Sequence, residues 1–211
     1  MKDMIKKALW VFLMVGSLSP LLQAQRIEAR FNKEFSTDSL INKTLGAGAS
    51  FIMDMWHPNV DVQINFDYAG HKGGMQLDTN FFHDQITKFK FGVSALYSRP
   101  LGERFYIRVG GDVSFNTIHN RHKTTVISPL DNHTQTTSIS YRGYMLGIGA
   151  VAQAQVRLGQ IFRLGVGAIP TYLIPLSGKV DRPDMEQKFK KGIFVCQLQV
   201  GLEIRLSNLN D

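Results

Sequence analysis

Residues 192–206 alternate in character almost position by position. The even positions are Gly192, Phe194, Cys196, Leu198, Val200, Leu202, Ile204 and Leu206; from Gln197 onward the odd ones are Gln197, Gln199, Gly201, Glu203 and Arg205. Side chains on a β-strand point to opposite sides in turn, so this run is a strand with one apolar and one polar face. A helix would scatter the two classes around its circumference. Any fold for this chain must therefore give such strands an oily surrounding on one side and a polar one on the other.

The same period recurs along the chain. Ile27, Ala29, Phe31 and Phe35 oppose Arg26, Glu28, Arg30, Asn32 and Glu34, with Lys33 interrupting the apolar phase. Leu45, Ala47, Ala49, Phe51, Met53 and Met55 oppose Gly46, Gly48, Ser50, Ile52 and Asp54. Val60, Val62, Ile64, Phe66 and Tyr68 oppose Asp61, Gln63, Asn65 and Asp67. Further alternating runs fall at 88–98, 105–116, 139–158 and 161–176, making eight strands with the last. Turn signals at His57-Pro58, Arg99-Pro100-Leu101-Gly102 and Gly159-Gln160 make three tight connections. The other connections are read as polar loops at 36–43, 70–85, 117–137 and 177–191. Loops thus run long, short, long, short, and an even strand number leaves both termini on the short-turn side.

Residues 1–24 have the form of a secretory signal: Lys2, Lys6 and Lys7, an apolar run over 8–18, a break at Ser19-Pro20, and cleavage before Gln25. Residues 25–211 then form a single domain. The net charge of +7 drops by the +2 of Lys2, Lys6 and Lys7 against Asp3, leaving +5, with no basic helix or Arg-rich run; no nucleic-acid partner is expected. The single cysteine, Cys196, excludes an intramolecular disulfide, and on an apolar face it acts as a small hydrophobe.

Two eight-stranded architectures fit this pattern with their faces exchanged. A soluble lipocalin-type barrel packs its apolar face inward and needs large residues there. A transmembrane barrel turns it toward lipid. Here the apolar face carries many small residues, Ala47, Ala49, Ala150, Ala152 and Ala154 among them. Aromatics cluster at the strand ends: Phe35, Tyr68, Phe89, Phe115, Tyr144, Tyr172 and Phe194 toward the long loops, and Tyr97, Phe105 and Phe162 toward the short turns. Girdles at both interfaces, tight periplasmic turns and longer external loops belong to the membrane class. The fold class expected is all-β, an eight-stranded antiparallel up-and-down transmembrane barrel in the bacterial outer membrane, reached by export through the periplasm.

From Gln25 to about Leu206 the chain resembles the small eight-stranded outer-membrane β-barrel family of Gram-negative bacteria (OmpA-domain, OmpX and PorT-like proteins). The most specific piece is Gln199-Val-Gly201-Leu-Glu-Ile204-Arg-Leu206, which is similar to that family's C-terminal assembly signal, with Leu206 where an aromatic is common. The resemblance implies the barrel-assembly machinery and outer-membrane lipid as partners. It implies no cofactor.

The polar face carries acids and bases that would share one interior: Glu28, Asp54, Asp61, Asp67, Asp112 and Glu203 with Arg30, Lys88, Lys90, Arg108, Arg157, Arg163 and Arg205. Eight strands enclose little more than room for side chains. These groups are expected to pair and plug the lumen rather than line a channel. Five histidines, His71, His83, His119, His122 and His133, fall in stretches read as loops. His119, His122 and His133 are a weak metal candidate, short of a helix and of thiolate partners. His83-Asp84 with Ser114, or His119 with Ser138, could be drawn as a hydrolytic pair. The basic residues Lys179, Arg182, Lys188, Lys190 and Lys191 could meet lipopolysaccharide phosphates, although Asp181, Asp184 and Glu186 lie among them. The function expected is structural, or a surface loop-display and adhesion-type role with an unknown external partner. The alternatives are a lipid-A-modifying enzyme and a secretion- or assembly-associated membrane component.

Overall fold

The alternating runs pair edge to edge, each with its sequence neighbours, until the last meets the first. In the computed structural model the strands are β1 (Gln25–Ser36), β2 (Leu45–Asp54), β3 (Val60–Leu77), β4 (Asn80–Pro100), β5 (Phe105–Ile127), β6 (Thr134–Arg157), β7 (Phe162–Val180) and β8 (Ile193–Arg205). The structure describes residues 25–37, 41, 44–55, 57, 59–77, 80–127, 134–180 and 192–206. The leader expected over 1–24 and the basic segment 181–191 lie outside the described residues. All pairings are antiparallel and the sheet closes into a barrel. The closing ladder runs from Arg26↔Arg205 to Ser36↔Val195. Closure leaves no edge within the membrane zone, which is what permits a sheet to cross lipid.

The faces are inside-out relative to a soluble barrel. Phe31 is 77% exposed and Val200 50%, while Gln199, its neighbour on β8, is 4% exposed in the interior. The short turns carry the left-handed glycines Gly102 (φ 118°) and Gly159 (φ 146°), a conformation that a Cβ disfavours.

Three stretches read as loops are partly strand. β3 continues to Leu77 and β4 begins at Asn80; β5 continues to Ile127 and β6 begins at Thr134; β7 runs on to Val180. The ladder is unbroken through Leu77↔Asn80 and Ile127↔Thr134. The alternation fades there because these segments stand beyond the aromatic girdle, where water wets both faces and no apolar phase is needed. Backbone pairing persists, helped by β-branched residues such as Thr124, Thr125 and Val126. Beyond Tyr68, Phe89, Phe115 and Tyr144, strands β3–β6 project as one sheet for roughly 30–40 Å at ~3.3 Å per residue.

The interior is not polar throughout. Near the long-loop end Ile41, from the β1–β2 connection, turns in and packs with Ile86, Ile118, Met145, Leu173, Ile193 and Val195. Lower down, Leu96, Val151 and Ile169 fill the β4–β6–β7 side. These apolar side chains occupy the polar phase of their strands, so alternation alone does not reveal their partners.

Substituting Val200→Arg should cost about 2–4 kcal/mol at the bilayer midplane. Gln199→Arg should instead respond to luminal packing and charge. Refolding yield and stability in lipid bilayers would distinguish them; equal effects would contradict the assigned faces.

Candidate functional site: the charged lumen

Position 26 on β1 points inward at the short-turn end, where it meets three acids from three other strands. Arg26 pairs with Asp54, with Asp61 at 2.6 Å and with Glu203 at 3.3 Å. Arg108, fully buried on β5, donates to Glu203 at 2.7 Å and lies 3.2 Å from Asp61. Arg163 approaches Glu203 at 3.6 Å, with its guanidinium 4.4 Å above the Tyr106 ring. Gln155 Nε2 donates to Glu203 Oε2 at 3.3 Å. Glu203 thus receives three guanidinium groups and an amide. Glu28 accepts from Gln63 Nε2 at 3.1 Å.

A second tier lies nearer the middle of the barrel. Arg30 grips Asp67 with both forks, Nε to Oδ1 at 2.8 Å and Nη2 to Oδ2 at 2.9 Å. Its other nitrogen donates to Ser50 and to Asn65 Oδ1 at 3.0 Å. Asn65 donates to Ser94 at 2.7 Å, Ser94 to Asp112 at 2.8 Å, and Lys90 pairs with Asp112 at 2.8 Å. Two glycines make room for this tier and the one below it. A Cβ at Gly48 would strike the Asp67 carboxylate, and one at Gly201 would strike that of Glu28.

Above this, Lys88 Nζ meets Glu34 Oε1 at 2.6 Å, and Thr44 Oγ1 donates to Glu34 Oε2 at 2.8 Å. The apolar cluster around Ile41 lies toward the long-loop end of the same interior. Almost all of these charged groups are closed to water, Arg108 at 0% and Glu203 at 1% exposure. Buried ions are tolerable only when paired and hydrogen-bonded, and the cross-strand ladder delivers opposite signs into contact.

Arg26 and Glu34 are central to this interior yet absent from the set expected on sequence. Their polar phase on β1 was the available signal; nothing in the sequence says which acid or base each would meet. Arg157 and Arg205, expected among the pairs, stand at the rim. Arg157 donates through Nε to the Gly159 carbonyl at 2.7 Å, two residues on, because β6 ends there. Arg205 is the last residue of β8 and is half-buried. Of the segment read as an assembly signal, Gln199 and Gly201 face the lumen, Ile204 lies on the outer phase, and Leu206 follows the end of β8.

The histidines behave differently from the expectation. His71, His83, His119 and His122 are on strands rather than loops, and His133 lies outside the described residues. Three residues apart on a strand, His119 and His122 point to opposite faces. His122 Nδ1 meets Asp84, and its Nε2 is 3.1 Å from Thr124 Oγ1. His83 pairs in register with Lys123, whereas Ser114 is buried opposite Gly92, roughly 30 Å along the ladder at ~3.3 Å per residue. His119 lies opposite Arg142 and Ser138 opposite Lys123, so that pair is also apart. Neither hydrolytic pair drawn from the sequence comes together.

An apolar outer belt, aromatic girdles at both ends, a closed ladder and a charged, buried interior define an integral outer-membrane β-barrel of the small eight-stranded class. Comparison with solved structures gives the same fold. The chain is similar to Neisserial surface protein A, at 14% identity and a TM-score of 0.50, covering 86% of this chain and 95% of that one. It also aligns with a major outer membrane protein from Thermus thermophilus, at 15% identity and a TM-score of 0.48, covering 86% and 99%. A third is Ail, the attachment invasion locus protein of Yersinia pestis, at 13% identity and a TM-score of 0.40, covering 87% and 97%. No protein-family model matches the sequence. No curated protein matches it either.

Removing Glu203 (Glu203→Ala) would leave Arg26, Arg108 and Arg163 together in a closed interior, at a cost of about 3–5 kcal/mol. Arg157→Ala, at the rim, should stay within about 0.5 kcal/mol of the parent. Urea unfolding in lipid vesicles, read by the gel shift between unheated and heated barrel, would measure both.

Proposed function

We propose that this protein is a plugged surface barrel: the membrane part is a closed anchor, and the projecting sheet binds anionic partners outside the cell. The observation that carries this is the outer face of the β3–β6 projection. Lys72, His83, His119, Arg121, Lys123 and Arg142 are all exposed on it. Register makes them neighbours: His83 opposite Lys123, Lys72 opposite Gln85, Gln85 opposite Arg121, and His119 opposite Arg142. The projecting acid Asp84 is on the other phase, engaged by His122. Among the described residues this outer face carries no acid, and a basic face attracts polyanions over a Debye length of about 8 Å at physiological salt. The adhesion-type role, with an anionic glycan or phosphorylated surface as the external partner, follows from this charge.

The plug reading rests on the burial of the luminal pairs and on the apolar packing around Ile41. In planar bilayers the purified monomer should show no steady ohmic conductance; large stable channels would replace the anchor by a transport role. The last strand, ending in Gln199, Gly201, Ile204 and Leu206, is the segment we assign to recognition by the barrel-assembly machinery.

The binding role is tested by exchanging Lys72, Arg121, Lys123 and Arg142 for Glu and measuring retention on an immobilised sulfated polysaccharide. The parent should bind, with affinity falling steeply as salt rises, and the fourfold variant should not. Salt-independent binding, or equal retention of both proteins, would remove the basic face from the function.

A further inference from the structure

We propose that the lipid-facing surface of β5–β8, β1 and β2 holds one phosphate-bearing lipid of the outer leaflet, its acyl chain in an oblique groove and its phosphate on Lys33. The groove has a volume of about 760 Å³ and runs between two rows of outward side chains. In the lower row Ile107 pairs with Ala154, Ala154 with Val166, Val166 with Val200, and Val200 with Phe31. In the upper row Ala152 pairs with Ala168, Ala168 with Leu198, Leu198 with Lys33, and Lys33 with Leu45. Ala152, Ala154 and Ala168 form the shallow floor; Phe31, Val200 and Leu198 stand above it.

Direction and length suit a lipid chain. Each row crosses four strand spacings, roughly 19 Å at ~4.8 Å each. With strands tilted ~35–45°, such a row changes depth by roughly 11–14 Å, a little under half of a ~30 Å hydrocarbon core. Ile107 is two residues from Phe105 of the lower girdle, and Lys33 two residues from Phe35 of the upper one. The groove therefore starts just beneath the outer interface and descends.

Lys33 supplies the charge. It is the one charged residue on the lipid phase of β1, placed between Phe31 and Phe35, with its ammonium 6.0 Å from the centre of the Phe35 ring. A lysine near the interface is tolerated because its stem lies along apolar surface while the ammonium reaches the headgroup level. At that level the anions are lipid phosphates, and the chain below each phosphate needs an apolar furrow, which begins at this residue. A second copy of the barrel is a poorer occupant. Two barrels sharing a membrane normal as their two-fold axis would bring both Lys33 side chains to the same depth on facing surfaces.

The probe is bisphosphorylated lipid A, offered to the purified barrel in neutral detergent and followed by native mass spectrometry beside its dephosphorylated form. One lipid A should be retained by the parent. Affinity should fall at least about tenfold, the loss of a charge-assisted hydrogen bond, for the dephosphorylated lipid and for Lys33→Gln with the parent ligand. Ala154→Phe, which fills the floor, should weaken binding as strongly with phosphate and lysine both present. An unheated gel shift verifies that each variant is folded, and the lipid series on the parent needs no variant. Equal retention of lipid A with and without phosphate overturns the proposal. So does equal retention by Lys33→Gln, or a dimer that Ala154→Phe dissolves.

Discussion

Water is absent from the hydrocarbon of a bilayer, and every feature of this molecule follows from that. A strand there must satisfy each N–H and C=O through a neighbouring strand, so an open sheet is excluded and β8 must find β1. The ladder from Arg26↔Arg205 to Ser36↔Val195 completes that requirement. Once the ring closes, lipid takes the apolar phase, and the opposite phase has nowhere to go but a narrow interior.

That interior sets a second problem, which the luminal groups solve together. Charged side chains confined to an eight-stranded bore cannot each keep a hydration shell. Glu203 gathers Arg26, Arg108 and Arg163 from β1, β5 and β7, and Arg30 takes Asp67 from β3 in a two-pronged grip. Glycines at 48 and 201 leave space for carboxylates rather than merely loosening the strands. The Gly201 position therefore has a packing reason independent of any signal read from the C-terminal segment.

Where lipid ends, the constraint relaxes and the fold uses the freedom. β3–β6 continue into water as a sheet whose faces no longer need to differ in polarity. Their alternation dissolves while pairing persists, so the basic face of Lys72, Arg121, Lys123 and Arg142 can occupy positions that lipid would forbid. Lys33 marks the boundary from the other side, a charge on the lipid phase that the upper girdle brings within reach of headgroups.

Eight strands and their faces were legible in the sequence because a two-residue period maps directly onto which side of a strand meets lipid. Val200 and Gln199 could be assigned to opposite surroundings from their parity alone. The projecting hairpins were not legible, since residues 71–77 and 119–127 carry no apolar phase beyond the girdle; read as loops, they concealed that His119 and His122 face apart. Nor was the pairing legible: that Arg26 meets Asp54, Asp61 and Glu203, that Glu34 meets Lys88, or that Ile41 packs against Met145. Those contacts join residues far apart in the chain, and only the stagger of the closed ring decides which of them share a level.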